Sequence, residues 1–321
     1  MSLLNVGARA LLANQVALQT AGHNIANVST PGYSRQSVVL ETVQGQFTGG
    51  GYIGKGVNVA QVLADLGHYV SVGGFLGSAN PQAFNALIKR RGFGDAFIRV
   101  PGETRSNIKI AEQDGRVTDI NAPGPLVTEE ALKALLKMVA IIGPEFDAVV
   151  VAGSLPRGVS PQWFKGLLEA LKDLGLKVAL DTSGEALRLG LEVGPWLVKP
   201  NTEELAEALG NATDAISRLH QQGVEHVVVS DGAAGVTWYR PGAALHATPP
   251  KVAVASTVGA GDSLLAGMLH GLLSGDTPEH TLRRATAIAA MAVTQIGFGI
   301  SDDAQLAHLE SGVDVRTLTE Q

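Results

Sequence analysis

From residue 58 onward the chain repeats one unit: a short apolar run, a polar loop that carries glycine, then a helical stretch. No other feature narrows the possible folds as much. Apolar runs at 147–151, 176–180, 196–198, 226–229 and 252–255 read as strands with both faces buried. Strands that alternate with helices in this way form βαβ units on a parallel sheet. With 321 residues and 45% hydrophobic content, the chain can fill one large core of this type and carry an appendage. The predicted class is therefore α/β with a mainly parallel sheet.

The loop after each strand is more informative than the strand itself. The runs lead into Gly153-Ser154-Leu155-Pro156-Arg157-Gly158, Asp181-Thr182-Ser183-Gly184, Lys199-Pro200-Asn201-Thr202-Glu203-Glu204, Ser230-Asp231-Gly232-Ala233-Ala234-Gly235 and Thr257-Val258-Gly259-Ala260-Gly261-Asp262. Open α/β sheets bind ligands at the carboxyl ends of their strands. One such loop is an ordinary turn, whereas five on one edge predict a composite site.

The sharpest loop is Gly259-Ala260-Gly261-Asp262, which precedes a helix with apolar residues Leu264, Leu265, Met268, Leu269, Leu272 and Leu273 at helical spacing. Small residues there let backbone N–H groups and the helix dipole face an anion, as a transferring phosphoryl group requires. Asp262 falls in the first turn, placed to accept a proton from an attacking hydroxyl, although a helix cap is its plainer reading. Asn201 and Glu204 share a helix face and suit Mg²⁺, whose oxygen ligands include water; the same spacing also describes a helix cap. Arg105, in Thr104-Arg105-Ser106-Asn107 before a strand at 108–111, offers a bidentate phosphate contact or is a surface arginine. Lys55-Gly56-Val57-Asn58 opens a helix with Ala60, Leu63 and Leu66 on one face and suits oxyanion or sugar-hydroxyl contact.

Composition excludes several other classes. A net charge of -6 without a Lys/Arg run leaves no nucleic-acid track or anionic-membrane patch. Without cysteine there is no disulfide or thiolate chemistry, which suits a reducing compartment. No apolar run approaches 18 residues and no signal-type N-terminus is present, so a soluble, unprocessed, cytoplasmic chain is expected.

The first 57 residues have another texture. Leu4, Leu11, Leu18 and Ile25 recur every seventh position and predict a helix with a narrow apolar seam that stops near Pro31-Gly32. Residues 36–41 alternate weakly like a strand, and Thr48-Gly49-Gly50-Gly51-Tyr52 reads as a junction.

From Gly54 to about Val315 the chain resembles the PfkB/ribokinase family of sugar kinases, most specifically through Ser256-Thr257-Val258-Gly259-Ala260-Gly261-Asp262-Ser263. The resemblance implies a ribokinase-like three-layer α/β/α fold. It also implies ATP-dependent phosphorylation of a sugar phosphate, with fructose 1-phosphate giving fructose 1,6-bisphosphate. By the same resemblance Asp262 is the base, and Gly259, Ala260 and Gly261 form the anion hole. Ser230, Asp231, Gly232, Ala233, Ala234 and Gly235, with Lys199, bind the nucleotide, and Asn201 with Glu204 serves Mg²⁺. Lys55, Asn58, Arg105, Asn107 and Ser154 surround the sugar phosphate. The family's two glycines before Lys55 are here reduced to one, with Ile53 in the other place. Its first strand, which bears a sugar-binding aspartate, and its lid strands are not found before Lys55, so an incomplete lid is expected.

Leu3-Leu4-Asn5-Val6-Gly7-Ala8-Arg9-Ala10-Leu11 and the stretch from Gly22 to Gln36 are instead similar to the N-terminus of flagellar hook-associated proteins. The expected organisation is a chimera: a flagellar-type helical appendage over 1–57, then an N-terminally truncated PfkB-type carbohydrate kinase domain over 58–321. Expected partners are the sugar phosphate and ATP, with no nucleic acid or membrane, and a homodimer is admitted. The alternatives are tagatose-6-phosphate phosphorylation, a structural subunit at the flagellar hook–filament junction, and a fusion with neither activity.

Overall fold

A computed structural model describes residues 52–105, 107–111, 117–121, 123–210, 214–295, 297 and 299–318. The helix expected over the heptad leucines and the strand expected at 36–41 lie outside these residues.

The main sheet has seven strands, β5 (Ala148–Ala152), β6 (Lys177–Asp181), β7 (Leu197–Val198), β8 (His226–Ser230), β9 (Val236–Arg240), β10 (Ala243–Thr248) and β11 (Asp314–Leu318), in the order β11-β10-β9-β8-β7-β6-β5. The first four are mutually parallel, and β9, β10 and β11 each reverse direction against the preceding strand. Five of the seven strands therefore run one way, as expected of a mainly parallel sheet.

Alternation along the strands divides the core into two halves. Ala179, Leu197 and Val228 join one cluster with Leu264, Leu265 and Met268, whereas Val178, Leu180, Val198 and Val227 join another with Phe164, Leu168 and Leu187. The first layer is α1 (Tyr52–Asp65), α8 (Ala260–Ser274) and α9 (Pro278–Thr294), with α10 (Asp303–Ser311) beside it. On the opposite face lie α3 (Glu129–Ile142), α4 (Pro161–Asp173), α5 (Gly184–Glu192), α6 (Thr202–Leu209) and α7 (Ala215–Gln221). Helix starts follow local chemistry: Thr128, Ser160 and Thr277 accept hydrogen bonds from Ala131, Trp163 and His280 backbone N–H groups, and Pro161 and Pro278 occupy first turns.

Two smaller sheets stand apart. β1 (Ser71–Gly77) and β2 (Gly94–Val100), linked by α2 (Gln82–Arg91), form a parallel pair. β3 (Asn107–Ala111) and β4 (Val117–Asn121) form an antiparallel pair, the strand expected near 108–111 being the first of them.

The apolar run at 252–255 is not a strand, contrary to its sequence reading. It comes after Pro249 and Pro250, its residues are largely exposed, and Ala255 donates its N–H to the Val293 carbonyl instead of to a ladder. Proline supplies no ladder donor, and β10 already has a neighbour on each side.

Gly267 marks a close backbone contact between α8 and α9: a Cβ there would lie 2.6 Å from Ala285 Cα. Helix propensity alone would make Gly267→Ala stabilising by about 1 kcal/mol. Because the clash is with backbone, the substitution is expected to destabilise by about 1–3 kcal/mol. Gly166→Ala in α4, with open space around its Cβ, should instead stabilise by about 0.5–1 kcal/mol. Urea unfolding midpoints of the two variants check both signs.

Candidate active site

The carboxyl ends of β5 to β8 deliver Gly153-Ser154, Asp181, Lys199 and Ser230 to one edge. There the N-terminus of α8 meets them. Gly259 adopts φ 81°, a left-handed conformation open to glycine, and no side chain caps the helix. The leading N–H groups of α8 are thus left for a ligand, the arrangement that suits an anion. Asp262 is buried in the first turn and is not the cap residue, so the plainer reading of it does not hold.

Buried charge is concentrated around Asp262. Asn58 Nδ2, from α1, donates to Asp262 Oδ2 at 2.9 Å. Lys199 Nζ lies 3.3 Å from Asp181 Oδ1, and both residues are almost wholly buried. A Cβ on Gly261 would come within 3.2 Å of that ammonium, so the glycine lets Lys199 lie against the start of α8. Burial works against the lysine's charge. The attraction of Asp181, Asp262 and Glu204 outweighs it, and the Lys199 pKa stands above its ordinary value.

Asn201 and Glu204 form a capping box at the start of α6. Asn201 Oδ1 accepts from the Glu204 N–H at 2.7 Å, and Glu204 Oε2 accepts from the Asn201 N–H at 2.9 Å. Both residues are therefore engaged structurally, whatever they do for a ligand. No group of three or more His, Cys, Asp or Glu suited to a metal ion occurs among the described residues. A parallel bridge joins Asn201 to Ser230, and Thr202 Oγ1 reaches Asp231 Oδ1 at 3.4 Å, so this loop and the 230–235 loop are neighbours. In the latter, Asp231 to Ala234 are exposed, and Gly235 turns the chain at φ 114° where a Cβ would strike the Ala247 carbonyl.

Arg105 and Ser154 also meet, with Arg105 Nη2 donating to Ser154 Oγ at 3.0 Å. Partial burial lowers the Arg105 pKa from its ordinary value. Lys55 falls in the first turn of α1 and Asn107 opens β3; their side chains lie outside the described residues. Sequence reasoning placed Asp181 within a loop but gave it no role. Its signal was a carboxylate following the apolar run Val178-Ala179-Leu180, a position that burial makes costly without a partner.

Lys199→Met removes the ammonium beside the buried Asp181 and Asp262 carboxylates, and should cost about 3–5 kcal/mol of stability. Since the folded pKa is raised, the lysine's contribution is complete below the unfolded value of about 10.4 and disappears as pH rises through the higher folded value. Urea unfolding from pH 7 to 11 should show a wild-type-minus-variant gap that is flat to about pH 10 and shrinks above it.

Comparison with known proteins bears on this geometry. Residues 25–305 match the pfkB family of carbohydrate kinases, and residues 4–33 match the flagella basal body rod proteins. The chain is 45% identical over 272 residues to the 1-phosphofructokinase of Vibrio cholerae, covering 83% of this chain and 86% of that one. It is 44% identical over 270 residues to the 1-phosphofructokinase of Escherichia coli, covering 82% and 86%. The fold is similar to the tetrameric inhibited form of phosphofructokinase-2 from Escherichia coli, with TM-score 0.69, 26% identity and coverage of 80% and 86%.

Proposed function

The chain belongs to the pfkB family of carbohydrate kinases, and on that footing we propose that it transfers the γ-phosphoryl group of ATP to fructose 1-phosphate, giving fructose 1,6-bisphosphate and ADP. The observation that carries the proposal is the buried Asp262 carboxylate in the first turn of an uncapped helix, held by Asn58 and adjoining Lys199.

In this reading Asp262 takes the proton of the attacking sugar hydroxyl as its oxygen bonds to phosphorus and the bond to the ADP oxygen breaks. The N–H groups at Gly259, Ala260 and Gly261 face the charge on the transferring group, and the Lys199 ammonium, whose charge Asp181, Asp262 and Glu204 favour, stands beside them. Arg105, Ser154, Asn107, Lys55 and Asn58 hold the sugar phosphate, and the 230–235 loop holds the nucleotide. Mg²⁺ arrives with ATP and neutralises phosphate charge; the donor set fits a metal held mainly by nucleotide and water, with Asn201 and Glu204 near it. The appended segment is 1–57 and the kinase domain 58–321. We place the protein in the cytoplasm; no helix among the described residues is long and apolar enough to cross a membrane.

Coupled ADP release with Mg-ATP and fructose 1-phosphate tests the reading. Asp262→Asn should cut kcat about 10²- to 10⁴-fold while the chain still unfolds cooperatively. A folded wild-type chain with no turnover overturns the proposal in favour of a fusion without activity, and faster turnover of tagatose 6-phosphate reassigns the sugar. Arg105→Gln should raise KM for fructose 1-phosphate about 10- to 100-fold, through loss of a charge-assisted contact, with KM for ATP little changed.

A further inference from the structure

Arg105 ends a short connection, residues 101–105, that leads from β2 toward β3, and Pro101, Gly102 and Glu103 within it are exposed. A segment with so little buried surface is not fixed by packing, so the direction in which Arg105 leaves the backbone depends on hydrogen bonds. The loop that follows β1 supplies them. Ala79 donates its N–H to the Gly102 carbonyl at 2.9 Å, and the Gly77 N–H donates to Thr104 Oγ1 at 2.8 Å. Asn80 then takes both backbone groups of Thr104. Its Oδ1 accepts from the Thr104 N–H at 2.7 Å, and its Nδ2 donates to the Thr104 carbonyl at 2.9 Å.

Two bonds to the N–H and C=O of one residue are what a paired residue on an antiparallel strand would make. They also fix the amide's own orientation, because the flipped amide would set donor against donor and acceptor against acceptor. An asparagine at this point in a chain usually caps the helix that follows, here α2. That use is absent: Pro81 is the cap residue and no side chain bonds to the helix start. The amide is given to Thr104 instead. Gly77 lets the two loops come this close, since a Cβ there would strike the Thr104 nitrogen. From the residue so held, the chain passes directly to Arg105, whose Nη2 reaches Ser154 Oγ at 3.0 Å.

We propose that Asn80 is a positioning residue, which by clamping Thr104 fixes the backbone from which Arg105 reaches the phosphate of the sugar. That role rests on the reading of Arg105 as a sugar-phosphate contact. A bidentate grip on phosphate needs the guanidinium held to within about 0.5 Å, and an arginine has many rotamers to lose before it gets there. When its backbone anchor swings as well, the extra ordering is done on binding and shows as lost affinity for the sugar phosphate, with none lost for the nucleotide.

Calorimetric titration of fructose 1-phosphate into the wild-type chain, Asn80→Ala, Arg105→Gln and the double variant tests this whether or not phosphoryl transfer follows. Asn80→Ala should weaken binding about 3- to 30-fold, the range of one or two hydrogen bonds, with Kd for Mg-ATP little changed. In the Arg105→Gln background the same substitution should add less than about 2-fold, because the group it positions is gone. Asn80→Asp keeps the acceptor for the Thr104 N–H and should fall between wild type and Asn80→Ala. An unchanged Kd in Asn80→Ala overturns the assignment. So does an equal loss with and without Arg105, which would make Asn80 a support of the fold alone. If the wild-type chain does not bind fructose 1-phosphate, or Arg105→Gln binds it as tightly as wild type, the reading of Arg105 fails first and the role of Asn80 falls with it. Should Asn80→Ala not fold, Asn80→Asp in the two Arg105 backgrounds decides by the same outcomes.

Discussion

The site is organised by one buried cation. Lys199 stands among Asp181, Asp262 and Glu204, at the point where two parallel strands end and the α8 helix begins. Burying any of these groups alone would be prohibitive, because a charge removed from water must find a partner. Together they are mutually required: the lysine permits two carboxylates in a nearly dry place, and the carboxylates keep the lysine charged against its burial. The geometry that allows it is the absence of a side chain at Gly261, since a Cβ would crowd the ammonium. A glycine readable in sequence as part of an anion hole thus has a second duty toward a cation, and the two duties meet in the same three-residue turn.

The parts of the site most legible in the sequence were those whose chemistry is local. A glycine pair before an aspartate at a helix start has few uses, and the structure has that aspartate buried and uncapped. Asn201 and Glu204 were harder, because a capping box and a metal-linked pair share one spacing; the structure contains the box, and periodicity could not have told the two apart. Asp181 was missed as a site residue for a different reason. Its importance comes from Lys199, eighteen positions later, and contact between the ends of adjacent strands is a property of topology. The apolar run at 252–255 misled because local pattern says nothing of whether a neighbouring strand is available. The reversal of β9, β10 and β11 was likewise not visible in composition or periodicity.

The fold and the candidate site are linked through the first described helix. Asn58 binds the Asp262 carboxylate, so α1 contributes directly to the edge that holds the candidate site while it packs on β1 and β5. Any change in how α1 is held therefore alters the support of the candidate site, even where it leaves the residues of the Gly259–Asp262 turn untouched.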